Sequence, residues 1–116
     1  MSTLHEMSPS ELKLLLDQHR ALLIDVREPD EFAAQRIHGA LLHPLSTFEP
    51  AALPTDGSRL LVFQCGSGKR SATAARAYMA AGAPRATHLT GGIGAWNAAG
   101  LPTIRIDAAT GRAVER

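Results

Sequence analysis

Two uninterrupted apolar runs most constrain what this chain can fold into. Ala21-Leu22-Leu23-Ile24-Asp25-Val26 and Leu60-Leu61-Val62-Phe63 lack polar alternation, as strands covered on both faces do. Strands of that kind belong to parallel sheets, whose crossover connections are helices. The segments between supply helical signals. Ser8-Pro9-Ser10-Glu11 reads as a helix start, with Ser8 as N-cap, Pro9 at the first helical position and Glu11 closing a capping box. Leu12, Leu15 and Leu16 give that helix one apolar face to about Gln18. Pro29 opens a short helix to about Gln35, and Ser46 is expected to cap another reaching Ala52, before Pro54 and an Asp56-Gly57 turn. Residues 71–81 are alanine-rich and helical by propensity, and Gly82 can end them in the left-handed conformation. Residues 3–7, 40–42 and 87–89 read as further strands, Gly91-Gly92 as a tight turn, and residues 93–99 as a last helix stopped by Gly100 and Pro102. Alternating strands and helices predict an α/β fold: a mainly parallel five-stranded sheet with helices on both faces.

Composition narrows the function classes. A chain of 116 residues is one domain with a single core; residues 1–106 are assigned to it, and 107–116 to a polar C-terminal tail. The formal net charge of +1 comes without blocks of like charge, so neither nucleic acid nor a membrane surface is indicated. No apolar run approaches the ~20 residues of a membrane span, and the N-terminus lacks a basic region followed by an apolar one. One cysteine cannot form an internal disulfide, which fits a reducing cytoplasm. His5, His19, His38, His43 and His88 are scattered without ligand spacing, so no metal and no cofactor is expected. His38, beside a glycine, is expected in a loop hydrogen bond, with a place in the site as the alternative.

That cysteine, Cys65, follows the second apolar run and precedes a helix, in the stretch Cys65-Gly66-Ser67-Gly68-Lys69-Arg70-Ser71. The thiolate is the nucleophilic form of cysteine. The positive end of the following helix and the cations of Lys69 and Arg70 favour it. Gly66 and Gly68 permit positive φ, so successive N–H groups can turn inward as an anion-binding nest around a thiolate, a persulfide or an oxyanion. A buried, inert cysteine closing a core strand would need no such loop behind it. Ligands in parallel α/β folds bind beyond the carboxyl ends of the strands, where Cys65 lies. Asp25, closing the other apolar run, must be paired and is assigned a supporting role. Arg27 reads as an ion-pair partner of Glu28 or Glu31, with a substrate cation as the alternative.

Three motifs together resemble one family. Asp25-Val26-Arg27-Glu28-Pro29-Asp30-Glu31-Phe32 followed by Arg36-Ile37-His38-Gly39-Ala40 is similar to the first signature of rhodanese domains. The loop from Cys65 to Arg70, with Ser71, resembles their active-site loop C-x4-R-S. Gly91-Gly92-Ile93-Gly94-Ala95-Trp96, running on to Gly100-Leu101-Pro102, resembles their closing block. The likeness implies a single-domain rhodanese fold and a bacterial-type sulfurtransferase. Cys65 would take a sulfane sulfur from a small anionic donor such as thiosulfate and pass the resulting persulfide sulfur to cyanide, a thiol or a protein thiol. Gly66, Ser67, Gly68, Lys69, Arg70 and Ser71 would bind substrate and persulfide. On this reading Lys69 draws in the donor, and Arg70 turns inward to brace the loop against Asp25 or Glu28. Ser71 either gives its hydroxyl to the sulfur or caps the helix.

The chain departs from the pattern at Gly66, where many thiosulfate sulfurtransferases have arginine, and at His38, which stands in a proline slot. Its Cys-x-x-Gly-Lys-Arg loop also resembles bacterial rhodanese domains that continue into a membrane hairpin. Related cysteine phosphatases and arsenate reductases carry a loop one residue longer, sized for a tetrahedral oxyanion. A non-catalytic persulfide carrier or sulfur-sensing module would use the same residues as the enzyme.

Overall fold

The computed structural model describes residues 3–54 and 57–116. In chain order the elements are β1 (Thr3–Met7), α1 (Pro9–Asp17), β2 (Ala21–Asp25), α2 (Pro29–Ala34), β3 (Gln35–Arg36), β4 (Leu41–Leu42), β5 (Leu60–Gln64), α3 (Lys69–Ala80), β6 (Arg85–Leu89), α4 (Gly92–Ala98), β7 (Ile104–Ile106) and β8 (Ala113–Glu115). Five strands form one sheet in the order β1-β6-β5-β2-β4, and every pairing in it is parallel. The two apolar runs are its adjacent strands β2 and β5, in register from Ala21 opposite Leu60 to Asp25 opposite Gln64.

Alternation along the strands divides the core between the two faces of the sheet. Leu23 and Val62 point into one layer with Leu12, Ile93 and Trp96, covered by α1 and α4. Ile24 and Phe63 point into the other with Ala74, Ala75 and Leu53, covered by α3 and the chain before β5. The small alanines of α3 let its backbone lie close to the sheet, while Phe63, Tyr78 and Phe48 fill the layer edge to face. Trp96 is 1% exposed, and its indole N–H donates to the Pro102 carbonyl at 2.9 Å. It is a core anchor with its polar atom satisfied.

Local signals account for most boundaries. Ser8 accepts from the Glu11 N–H and the Glu11 carboxylate accepts from the Ser8 N–H, completing the expected capping box on α1. Gly82 has φ 124° just beyond α3. Three expectations need correction. The stretch before β5 is two 3₁₀ turns, Leu45–Thr47 and Pro50–Ala52, and not one helix capped by Ser46. The Ser46 hydroxyl donates to Glu28 Oε1 at 2.8 Å, and Pro50 forces the break because it has no N–H to continue a helix. Helix α3 starts at Lys69, two residues early, with Gly68 as N-cap. His38 is exposed, and its Nδ1 lies 3.6 Å from Glu115 Oε2 at the far C-terminus, so it neither lines the site nor ties a loop. The expected Asp56-Gly57 turn falls partly outside the described residues.

A second, antiparallel sheet of order β3-β7-β8 lies beside the first. It draws residues 113–115, within the stretch read as a polar tail, into regular structure. Among the described residues no helix is long and apolar enough to cross a membrane.

Candidate active site

Cys65 sits one residue past the end of β5, and the chain turns there directly into α3. Gly68, at φ 103°, is the pivot; a side chain would resist that left-handed conformation. The turn aims the Gly68 N–H at the Cys65 sulfur, 3.0 Å away. The Ser71 hydroxyl stands 3.6 Å from the same sulfur, and the residue as a whole is 1% exposed. Burial pushes the thiol up. The Ser71 N–H and hydroxyl, with the N–H groups of Gly68 and Ser67, more than offset this and leave Cys65 below its ordinary value of 9.0. Of the loop amides, the Gly68 N–H makes the hydrogen bond to the sulfur, at the N-terminus of a 12-residue helix whose positive end also favours the anion. Ser71 lies in the first turn of α3, and the N-cap is Gly68. Ser71 does not cap the helix; its oxygen accepts from the Cys65 S–H, and its hydroxyl donates to the Gly68 carbonyl at 3.2 Å.

The loop's carbonyls face the other way. Cys65 C=O accepts from the Ile93 N–H at 2.8 Å, and Gly66 C=O from the Gly94 N–H at 3.1 Å. The first turn of α4 thus holds two loop peptides with their oxygens turned outward. This is the physical need behind Gly91-Gly92: a Cβ on Gly92, itself at φ 59°, would stand 2.2 Å from the Cys65 carbonyl oxygen. Gly66 also faces little room, since a Cβ there would lie 3.3 Å from Arg70 Nη2.

Arg70 does brace the loop, but through Glu31 and not through Asp25 or Glu28. Its guanidinium makes two bonds to the Glu31 carboxylate, Nη1–Oε1 at 2.6 Å and Nη2–Oε2 at 3.0 Å. Glu31 also accepts from the Glu28 N–H at the start of α2. The Arg70 bonds hold its carboxyl at about 2, well below the usual 4.5, and Arg70 is raised in turn, chiefly by its bonds to Glu31.

Asp25 is fully buried and Arg27 nearly so. Arg27 donates to the Asp25 carboxylate from its own backbone N–H at 3.0 Å, from Nε at 3.1 Å and from Nη2 at 2.9 Å. Nη2 also donates to the Gln35 carbonyl at 2.6 Å. The partner of Arg27 is thus Asp25, not Glu28 or Glu31, and its N–H, Nε and Nη2 are engaged inside the protein. The pair fixes the turn after β2, beside the strand that delivers Cys65. Ser67 and Lys69 are exposed on the outer side of the loop.

One side chain near the sulfur carried no motif. His88 on β6 is 4% exposed, and its Nδ1 lies 2.9 Å from the Ser71 hydroxyl. No spacing could reveal it, because β6 reaches α3 only through the fold. In the sequence His88 is only one of five scattered histidines, within the strand read over 87–89. Among the described residues no group of three or more His, Cys, Asp or Glu side chains is arranged to hold a metal ion.

Comparison with known proteins adds to this geometry. Residues 8–99 match the model of the rhodanese-like domain. An uncharacterised protein of Synechocystis sp. is 39% identical over 99 residues, which are 85% of this chain and 55% of that protein. The chain thus spans about half the length of that relative. A protein of Allochromatium vinosum named a sulfurtransferase is 39% identical over 92 residues, 78% of this chain and 84% of its own. The crystal structure of a thiosulfate sulfurtransferase from Pseudomonas aeruginosa superposes with a TM-score of 0.77 at 25% identity, over 87% of this chain and 20% of that one.

Proposed function

Because this chain belongs to the rhodanese-like domain family, we propose that it is a sulfurtransferase working through a persulfide on Cys65. The observation that carries the reading is the Gly68 N–H aimed at the Cys65 sulfur at 3.0 Å, at the N-terminus of α3. Donors of this kind stabilise an anionic sulfur, the form that attacks in sulfur transfer. In the first half-reaction the thiolate attacks the outer sulfur of thiosulfate or a comparable sulfane donor. The new Sγ–S bond forms as the donor's S–S bond breaks, and sulfite leaves with the electron pair. In the second, cyanide or a thiolate attacks the outer sulfur, and Cys65 departs as the thiolate. The loop amides hold the negative charge at each stage, as oxyanion-hole donors do.

Lys69, exposed at the first position of α3, attracts the anionic donor without occupying the nest. Arg70 argues against phosphate or arsenate chemistry. Its guanidinium is committed to Glu31, whereas a tetrahedral oxyanion would require it inside the loop. A free thiol nucleophile of this kind suits a reducing cytoplasm, where we place the protein.

The test is intact mass after incubation with thiosulfate and then with cyanide. A gain of about 32 Da, one sulfur bound covalently, is expected on the wild type, reversed by cyanide and absent from Cys65→Ser. An adduct on Cys65→Ser would sink the reading. An adduct obtained only from a protein persulfide, with thiosulfate inert, would make this a sulfur carrier fed by a partner protein.

A further inference from the structure

The Ser71 hydroxyl has more acceptors around it than hydrogens to give. It carries one hydrogen, yet its oxygen lies 3.2 Å from the Gly68 carbonyl, 2.9 Å from His88 Nδ1 and 3.6 Å from the Cys65 sulfur. Which way that hydrogen points depends on the histidine. With Nδ1 bare, the ring is the nearest acceptor and takes the hydroxyl hydrogen. The oxygen's lone pairs then face the sulfur, an arrangement that suits a thiol donating its S–H and repels a thiolate. With a proton on Nδ1, the ring donates to the oxygen, and the hydroxyl hydrogen is released toward the sulfur, which suits a thiolate. The ring meets Glu6 from β1, Ser71 from α3 and, through Ser71, the Cys65 sulfur of the β5 loop. Its Nε2 is buried and has no hydrogen-bond partner among the described residues. Glu6 Oε1 lies 3.6 Å from it, on a side chain that reaches solvent. The β1–β6 register, which sets Glu6 opposite His88, fixes that approach.

We propose that His88 is a positioning residue for the nucleophile: it receives the proton of Cys65 through the Ser71 hydroxyl and so turns that hydroxyl toward the thiolate. The proton count balances. The sulfur's hydrogen passes to the Ser71 oxygen as the hydroxyl hydrogen passes to Nδ1. The imidazolium that results presents its Nε2–H to the Glu6 carboxylate. The inference rests on Cys65 being the nucleophile of the proposed function, but its test needs no sulfur donor.

The experiment is the rate of Cys65 alkylation by iodoacetamide, read by intact mass across a wide pH range, for wild type, His88→Gln and Ser71→Ala. The wild-type rate is expected to rise in two steps, one for the thiolate–imidazolium pair and one for loss of the imidazolium proton. His88→Gln is expected to keep only a single step at higher pH, with the rate near neutrality lowered about tenfold, the effect of a one-unit displacement. Adding His88→Gln to Ser71→Ala should then change little, since one chain has already been cut. A folded His88→Gln protein whose profile overlays the wild type would overturn the proposal. If that variant does not fold, the wild-type His88 ring nitrogens are followed by NMR before and after Cys65 is capped. Capping is expected to move the Nδ1 and Nε2 chemical shifts of His88 near neutral pH, and unmoved shifts overturn the proposal. A shifted alkylation profile without any sulfur adduct would instead leave His88 in place and remove sulfur transfer.

Discussion

At the scale of the residue, the site is one sulfur held between the Gly68 N–H and the Ser71 hydroxyl. The N–H groups and the Ser71 hydroxyl lower Cys65 against the opposing push of burial. Ser71→Ala, which removes the hydroxyl, is expected to raise the thiol and slow its alkylation at neutral pH several-fold, measured as a full pH–rate profile. Lys69→Ala is expected to raise the KM for thiosulfate with kcat and melting temperature nearly unchanged, because Lys69 is exposed and outside the nest; an unchanged KM would remove its role. Glu31 sets an acid limit. Its carboxyl titrates at about 2 when folded against 4.5 ordinarily, so the Arg70 bond stabilises the fold above about 4.5. That contribution fades as pH falls from there toward 2. Thermal melts of Glu31→Gln should therefore lie below wild type at neutral pH and converge with it in acid. Cys65 and its glycine loop were legible because their chemistry is written in seven consecutive residues. The partner of Arg70 was not. Asp25, Glu28 and Glu31 stand within one short stretch, and only the direction in which α2 leaves its first turn selects Glu31.

At the scale of the element, strands and helices with strong local signals were readable and the weak ones were not. The runs of β2 and β5, the capping box of α1 and the glycine stop of α3 each carry a physical cause within a few residues. β3 has two residues, and β7 and β8 three each, too short for any periodicity to register. Their pairing comes from tertiary contact. The turn between β6 and α4 was read as tight, but its second purpose, clasping the nucleophile loop, emerged only with the fold. Gly92→Ala tests that purpose. The added methyl would meet the Cys65 carbonyl oxygen at 2.2 Å, so the loop must shift. Loss of most Cys65 reactivity is expected together with a lowered melting temperature. Leu12→Ala, on the buried face of α1, is expected to destabilise by about 2–5 kcal/mol, the range for a large core side chain cut back. It should leave the alkylation profile of the remaining folded protein unchanged, read by denaturant melts and alkylation side by side.

At the scale of the whole molecule, the sulfur is held by parts distant in the chain. Its strand is β5, its amide donor comes from the loop that caps α3, its brace from α2, its clasp from α4 and its buried histidine from β6. The central sheet is wholly parallel, so β5 acquires its neighbours β2 and β6 only after long crossovers close. Equilibrium unfolding in urea, followed by Trp96 fluorescence and by Cys65 reactivity, is expected to give one coincident transition. Separate transitions would mean that the loop keeps its shape without the sheet. The clasp of the loop carbonyls by Ile93 and Gly94 has a consequence for the thiol. With α4 lifted from the loop, the peptides around Cys65 would lose the two bonds that fix their orientation, and the thiol is expected to fall back to the reactivity of an ordinary cysteine. The alkylation rate of Cys65 is therefore a gauge of how firmly α4 is docked.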